Sequence, residues 1–203
     1  MPELLDCRPG HWRELPDARL KYCPEFYTST QAAALFVQLQ GEIQWSQPQV
    51  RLFGKTHKVP RLTAFYGDRG LQYSYSGVRH ETLPWSATLQ QIKRDVERST
   101  QRKFNSVLLN CYRNGSDSNG WHADDEKELG DAPFIASLSL GASRDFHFRH
   151  NKLGKHNYSC ALESGSLLLM AGCMQQHWQH QLPKRLKVSD ARINLTFRLV
   201  ERS

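Results

Sequence analysis

The chain has 203 residues, 39% of them hydrophobic and 23% charged, which suits one domain with its own core and excludes disorder as the default. Its net charge of +7 suits a partner with a phosphate backbone, although a merely basic soluble protein explains the charge equally well. No apolar run is long enough to span a membrane, the opening Met1-Pro-Glu-Leu-Leu-Asp lacks a leader pattern, and five cysteines without zinc-site spacing point to free intracellular thiols.

Residues 1–25 mix proline, charge and scattered aromatics and read as an irregular arm. A helix follows, capped by Thr28, Ser29 or Thr30 and ended by Gly41. Leu35, Leu39 and Ile43 share one face of it, so it should cover a core. Residues 50–53 read as a strand and Gly54-Lys55 as a turn, which sets Phe53 at a hairpin tip among Arg51, Lys55, Lys58 and Arg61. A bulky apolar residue on a basic hairpin suits a wedge that enters a base stack; a phenylalanine folded back onto the core is the competing reading. Residues 62–66 and 71–77 read as strand, turn, strand. Tyr73 and Tyr75 share a face by parity, either to stack a nucleobase or as ordinary strand aromatics.

Residues 84–101 place Leu89, Ile92 and Val96 at helical spacing, with Lys93, Arg94, Asp95, Glu97 and Arg98 on a solvated side. Strands are then predicted over 106–112, 134–140, 145–149, 158–162, 166–171, 176–181 and 191–200. Short strands with glycine and asparagine turns suggest a β-sandwich or jelly roll.

The last strand alternates Arg192, Asn194, Thr196 and Arg198 with Ile193, Leu195, Phe197 and Leu199. A half-exposed strand explains that pattern in isolation. The pattern recurs, however: Asn110 and Tyr112 share a face opposite Val107, Leu109 and Cys111, and His122 and Asp124 share a face if their stretch is extended. Three strands then aim polar groups at one cavity. Arg192 and Arg198 lie roughly 20 Å apart at Cα, so two side chains leaning inward suit the ends of a short dicarboxylate. The guanidinium fork binds carboxylate through two parallel hydrogen bonds. His122, Asp124 and one further histidine would occupy one face of an octahedral metal and leave the opposite face open, as in non-haem Fe(II) oxygenases. His177 and His180 are the candidates for the third ligand, and spacing does not choose between them. His147, His150 and His156 lie among basic and turn residues and fit less well.

Taken together, Asn110-x-Tyr112, His122-x-Asp124-Asp125-Glu126, Ile135-Ala-Ser-Leu-Ser-Leu-Gly-Ala-Ser-Arg-Asp145, His180-x-Leu-Pro183 and Arg192-Ile-Asn-Leu-Thr-Phe-Arg198 resemble the AlkB-type Fe(II)- and 2-oxoglutarate-dependent dioxygenases in order and spacing. The resemblance runs from about Gln49 to Val200 and is nearest to the branch that repairs alkylated bases in duplex DNA, which shares the Leu52-Phe-Gly-Lys55 hairpin and the Gly70–Gly77 stretch. It implies a mainly β fold with flanking helices (α+β): a double-stranded β-helix, or jelly roll, with N-terminal helices and a nucleotide-recognition lid of hairpins. The chain would be a single domain over 1–203, with an arm and helix over 1–45, the lid over about 46–80 and the jelly-roll core over about 104–200.

The same resemblance implies Fe(II) on His122, Asp124 and His180, which selects His180 over His177 by motif. It implies 2-oxoglutarate on Asn110, Tyr112, Arg192, Asn194, Thr196 and Arg198, with O2 as the other co-substrate. A flipped base is implied between Tyr75 and the ring of His122, with Tyr73, Ser74, Asp125 and Glu126 around it. Phe53, Gly54 and Lys55, with Arg61 nearby, resemble a finger that fills the gap left by the base.

The implied activity is oxidative demethylation of N-alkylated bases such as N1-methyladenine and N3-methylcytosine, with release of formaldehyde. The implied partner is alkylated DNA, duplex before single strand, acted on by a monomer inside the cell: cytoplasm or nucleoid in a bacterium, nucleus in a eukaryote. A methyl on the pairing edge already breaks the base pair, so extrusion is cheaper than for a normal base. Its positive charge suits aromatic stacking and the carboxylates Asp125 and Glu126. Lys184, Arg185 and Lys187 would hold phosphates. The alternatives are an RNA or protein-side-chain demethylase of the same fold, or a nucleic-acid-binding protein without turnover. Two features depart from the family: Tyr75 stands where a phenylalanine is expected, and Gly172-Cys-Met-Gln-Gln carries no signature.

Overall fold

The polar and apolar alternation of residues 106–112 and 192–198 is the pattern of strands buried on both faces. Every residue of Ser106–Tyr112 and of Arg192–Arg198 is buried, so their polar faces do not look into water. The computed structural model describes residues 2–5, 9–52, 54–75 and 78–201, and for residues 51–52, 55, 72–75 and 78–81 it describes the backbone alone. The two strands sit side by side, antiparallel, with Asn110 opposite Asn194 and Tyr112 opposite Arg192. They belong to an eight-stranded sheet in the order Trp12–Leu15, Ala18–Cys23, Leu167–Gly172, Ile135–Gly141, Arg192–Arg198, Ser106–Tyr112, Leu62–Gly67, Leu83–Pro84. A second sheet has five strands in the order Glu3–Leu4, Asn157–Leu162, Arg144–His150, Trp178–Leu182, Asn119–His122. The two form the expected jelly roll.

Two 14-residue helices cover the outer face of the larger sheet. Ser29–Glu42 opens with a capping box between Thr28 and Gln31, and Ala87–Thr100 opens on the Ser86 side chain. Leu39 and Ile43 from the first and Leu89, Ile92 and Val96 from the second pack in one cluster with Val107, Leu109, Cys111, Ile193, Leu195 and Phe197. The burial of Cys111 raises its thiol pKa, as suits a residue that packs as a small hydrophobe. A second cluster fills the space between the sheets: Leu20, Ile135, Leu168 and Met170 meet Phe148, Tyr158, Leu162 and Trp178. Apolar packing therefore closes one end of the sandwich and leaves the other to polar side chains. Among the described residues no helix is long and apolar enough to cross a membrane.

Several elements differ from the sequence reading. Residues 1–25 are not wholly an irregular arm. Ala18–Cys23 pairs with Leu167–Gly172 and Trp12–Leu15 pairs with it in turn, because Ala18, Leu20 and Tyr22 bury between the outward Arg19 and Lys21. Gly41 does not end the first helix, which runs on to Glu42 and stops where Ile43 turns extended and buries. Leu199 does not continue the apolar face; it lies past the end of its strand and is 52% exposed. Residues 176–181 are not one strand, since Met174–His177 makes a helical turn before Trp178–Leu182.

Two hairpins stand apart as two-stranded sheets, Gln49–Leu52 with Lys55–Lys58 and Gln72–Tyr75 with Val78–Glu81. Between them Leu62–Gly67 joins the large sheet beside Ser106–Tyr112.

Candidate active site

The open end of the sandwich is a pocket. The large sheet contributes Asn110, Tyr112, Ser137, Arg192, Asn194, Thr196 and Arg198, and the small sheet contributes Asn119, His122, Phe146 and His180. His122 and His180 are direct register partners on adjacent antiparallel strands, with ring centroids 4.3 Å apart. Asp124 does not share a strand with His122, contrary to the alternation argument: the strand ends at His122 and Asp124 lies in the segment beyond it. The ladder also slips between Asn119 and His122, an irregularity of the kind that re-aims side chains beside active sites. The convergence survives, because one donor atom each from His122, Asp124 and His180 lies within 4.8 Å of the others.

The chemistry of these donors fits a divalent metal. His122 Nδ1 lies 2.8 Å from the Gly120 carbonyl, which only accepts, so Nδ1 carries the proton and Nε2 keeps its lone pair. Asn119 Nδ2 lies 3.1 Å from that Nε2. Burial lowers the pKa of His122 and takes that of His180 down to about 3, so both imidazoles are neutral at physiological pH. Burial pushes the Asp124 carboxyl up, but the charge and hydrogen bonds of the Arg198 guanidinium outweigh it and hold the group ionised. Asp124 Oδ2 accepts from Arg198 at 2.8 Å, while Oδ1 is buried with no hydrogen-bond partner among the described residues. Two neutral imidazoles and a carboxylate with one uncommitted oxygen are the protonation states that metal ligation requires.

Beside the metal donors lies a cationic recess. Arg192 is 2% exposed and donates to Ser139 Oγ at 2.9 Å, and burial lowers its pKa to about 10. Its Nε finds no hydrogen-bond partner among the described residues. Asn194 donates to Ser137 Oγ at 2.8 Å, and Thr196 donates to Asn194 Oδ1 at 3.0 Å. Tyr112 lies between two guanidinium groups, with Arg192 Cζ 5.5 Å and Arg144 Cζ 5.9 Å from its ring centre. Arg198 turns its Nε and Nη2 to Asp124 Oδ2, at 3.2 and 2.8 Å, which sets its guanidinium at the metal end of the recess.

Ser137, Ser139, Arg144 and Asn119 were assigned no role from the sequence, although the first three lie in a stretch that carries the resemblance. The two serines alternate within Ile135–Gly141 and were open to the same parity argument. Arg144 bonds the carbonyls of Asn114, Asp117 and Pro183, partners that leave no trace in a sequence.

The residues assigned to substrate are spread more widely. Phe53 lies outside the described residues. Gly54, at φ +77°, and Lys55 follow in the first hairpin, where Leu52 pairs with Lys55. Tyr73, Ser74 and Tyr75 lie on one strand of the second hairpin. Asp125 is exposed and Glu126 is half-buried at the start of a short turn, Lys127–Leu129. Arg61 is not a surface flank of the hairpin. It is 6% exposed and donates from Nε to Asn110 Oδ1 at 2.8 Å, on the inner side of the sheet. Arg185 bonds Asp145 at 2.7 Å, whereas Lys184 and Lys187 are exposed.

A second group, Asp17, His150 and His177, also brings three donor atoms within 4.8 Å. Hydrogen bonding argues against a metal there. His150 Nδ1 accepts the backbone N–H groups of Lys152 and Leu153, at 3.1 and 3.0 Å, so its Nε2 carries the proton that faces Asp17 Oδ2 at 3.3 Å. Ligation through Nε2 would move that proton to Nδ1, against two N–H donors. The group instead clips the turn at Asp17, whose φ is 59°, to the small sheet.

Comparison with known proteins agrees with this geometry. Residues 19–198 match the model of the 2OG-Fe(II) oxygenase superfamily. Human "DNA oxidative demethylase ALKBH2" is 41% identical over 184 residues, covering 86% of this chain and 70% of that protein. Cattle "Alpha-ketoglutarate-dependent dioxygenase alkB homolog 3" is 41% identical over 192 residues, 90% of this chain and 66% of that protein, so the chain spans just under two thirds of this relative's length. Among solved structures, OsALKBH1 superposes with a TM-score of 0.64 at 17% identity, over 96% of this chain and all of that one. A Pseudomonas putida prolyl-4-hydroxylase superposes with a TM-score of 0.60 at 11% identity, over 91% of this chain and 93% of that one; these two likenesses concern the fold. The chain belongs to the 2OG-Fe(II) oxygenase superfamily, and within it to the AlkB-type enzymes that use Fe(II), 2-oxoglutarate and O2.

Proposed function

We propose that the chain removes alkyl groups oxidatively from the pairing edge of bases in DNA, N1-methyladenine and N3-methylcytosine being the type substrates. The observation that carries this reading is the pairing of the His122–Asp124–His180 donor set with the adjoining buried cation Arg192. Identities of about 41% to proteins named for DNA oxidative demethylation and 2-oxoglutarate-dependent dioxygenation support it.

His122, Asp124 and His180 would hold Fe(II). Bound there, iron supplies the oxidising chemistry, in which 2-oxoglutarate and O2 are consumed, succinate and CO2 leave, and one oxygen atom enters a C–H bond of the alkyl group. The protein's own part is binding and shielding. Arg192 supplies the fixed positive charge for a 2-oxoglutarate carboxylate, with Asn110, Tyr112, Asn194 and Thr196 lining the recess. Arg198 holds Asp124 and lies at the metal end of the co-substrate. Arg61, through Asn110, braces the same wall. A hydroxylated N-methyl group is a hemiaminal, which loses formaldehyde and restores the base.

The two hairpins would form the lid over a single catalytic domain. Tyr73, Ser74 and Tyr75 would meet the extruded base, Asp125 and Glu126 its positive charge, and Phe53, Gly54 and Lys55 the gap in the duplex. Exposed Lys58, Lys184 and Lys187 would contact phosphates. We infer a monomer working where the cell keeps its DNA, with duplex preferred.

The test uses two oligonucleotides carrying one N1-methyladenine, one single-stranded and one duplex, incubated with protein, Fe(II), 2-oxoglutarate and air and followed by mass. Loss of 14 mass units, about the mass of a methylene, is the expected result on both, at least as fast on the duplex. Repair of the single strand alone would move the substrate to open DNA or RNA. Consumption of 2-oxoglutarate without repair of either would overturn the nucleic-acid reading.

A further inference from the structure

The stretch between the strands Leu167–Gly172 and Trp178–Leu182 carries no family signature, yet it holds a polar side chain that is 2% exposed, Gln175. A buried amide is costly unless its oxygen and nitrogen are bonded, and the partner of this oxygen is specific. Gln175 Oε1 accepts the backbone N–H of Asp124 at 2.9 Å. Its Nε2 packs 3.8 Å from Met170 Sδ, which orients the amide with the oxygen toward Asp124. Asp124 has left the strand that ends at His122, so it has no ladder partner for that N–H, and Gln175 takes the place of one.

We infer that Gln175 is a positioning residue for the metal site: it fixes the backbone of Asp124 as Arg198 fixes Oδ2, and the two together aim Oδ1 at the histidines. The inference rests on the assignment of the metal to His122, Asp124 and His180. Asp124 lies past the strand end, on a segment whose direction the small sheet does not set. One contact on its backbone and one on its carboxylate remove the two freedoms that the strand leaves open. The helical turn Met174–His177 places Gln175 five residues before His180, so one short segment supplies a metal donor and the brace of another. Partners of ligating groups typically alter metal affinity by about 10- to 100-fold when removed.

The test titrates the metal-free 203-residue chain with Co(II), following the visible absorption of the bound ion, and measures hydrogen exchange at the Asp124 amide. Gln175→Met keeps the length and removes the acceptor. It should weaken Co(II) binding about 10- to 100-fold and expose the Asp124 amide to exchange, while leaving the KM for DNA unchanged at saturating metal. Gln175→Glu keeps an oxygen in place and should retain both affinity and amide protection. A folded Gln175→Met protein with wild-type Co(II) affinity and Asp124 protection would overturn the inference. If that variant does not fold, a folded Gln175→Glu protein that loses tenfold in affinity overturns it instead, and one that retains affinity supports it. Asp124→Ala separates the two readings: normal Co(II) binding there refutes the metal site itself, whereas loss there with normal binding in Gln175→Met refutes only the role of Gln175.

Discussion

Arg198 Nη2 lies 2.8 Å from Asp124 Oδ2, and the side chains of the pair are 4% and 1% exposed. A cation from the large sheet thus holds a metal donor that follows the last strand of the small one. Removing one partner of such a pair leaves the other buried and uncompensated, at a cost of about 3–5 kcal/mol.

Arg198→Met should therefore destabilise the metal-free protein by about 3–5 kcal/mol in urea unfolding. Added Co(II) should recover part of the loss, because a metal on Asp124 restores a positive partner and binding to the folded state stabilises it. A metal-free Arg198→Met protein as stable as wild type would show that the pair is not held in solution.

Arg192 has the opposite expectation. It is buried to the same degree, and the groups acting on it are Tyr112 and Arg144 rather than a carboxylate. Arg192→Met strands no anion, so stability should hold or rise, while the KM for 2-oxoglutarate should climb roughly 10- to 100-fold, the worth of a charged hydrogen bond. Steady-state kinetics with thermal unfolding on the same sample separates this from general damage: an unstable variant with unchanged KM would contradict the assignment.

These two arginines also show where the sequence was readable. Both were found by alternation, because strands buried on both faces write their two environments into odd and even positions, as in Asn110, Tyr112 against Val107, Leu109, Cys111. Parity could not say that Arg198 turns to Asp124, since the donor sits beyond a strand end whose direction no periodicity encodes. Arg144 and Gln175 were invisible for another reason: they bond backbone groups of remote segments, and a carbonyl or N–H has no residue type to recognise. Arg61 misled because the exposed Lys58 lies three residues before it in sequence while its partner in space is Asn110. The strand Ala18–Cys23 was hidden by Arg19 and Lys21, which are the outward half of an ordinary alternation.

A pH prediction attaches to Asp117, which accepts hydrogen bonds from Arg113 Nε at 2.8 Å, Nη2 at 2.9 Å and the backbone N–H at 2.9 Å. Burial pushes its carboxyl up, and the bonds and charge of Arg113 outweigh that and hold it below the ordinary 3.8. A depressed folded pKa gives stability that is full above the unfolded value and lost as pH falls through the folded one. Asp117→Asn should thus be less stable than wild type by about 1–3 kcal/mol at pH 7, and the gap should begin to shrink below about pH 4 and close only once the pH has fallen through the folded pKa. Urea unfolding at pH 7 and in acid below the folded pKa checks it; a gap that is unchanged in acid would mean that the carboxylate charge is not what holds the Arg113–Asp117 turn.

Phe53 carries the last prediction, because the proposed preference for duplex over single strand rests on it. Among the described residues the strands Gln49–Leu52 and Lys55–Lys58 pair only with each other, with Leu52 opposite Lys55 at the end of the ladder. On a duplex, extruding a base opens a gap whose stacking is worth a few kcal/mol, and an aromatic wedge fills it; on a single strand no partner base is left behind. Phe53→Ala should therefore slow repair of N1-methyladenine in a duplex by roughly 10-fold or more, one step of about 1.4 kcal/mol, and leave repair of the same lesion in a single strand within about 2-fold of wild type. The 2-oxoglutarate KM should not move, since the described lining of the Arg192 recess comes from the two main sheets. Equal loss on both substrates would refute the wedge; loss on the duplex alone would tie strand preference to this one side chain.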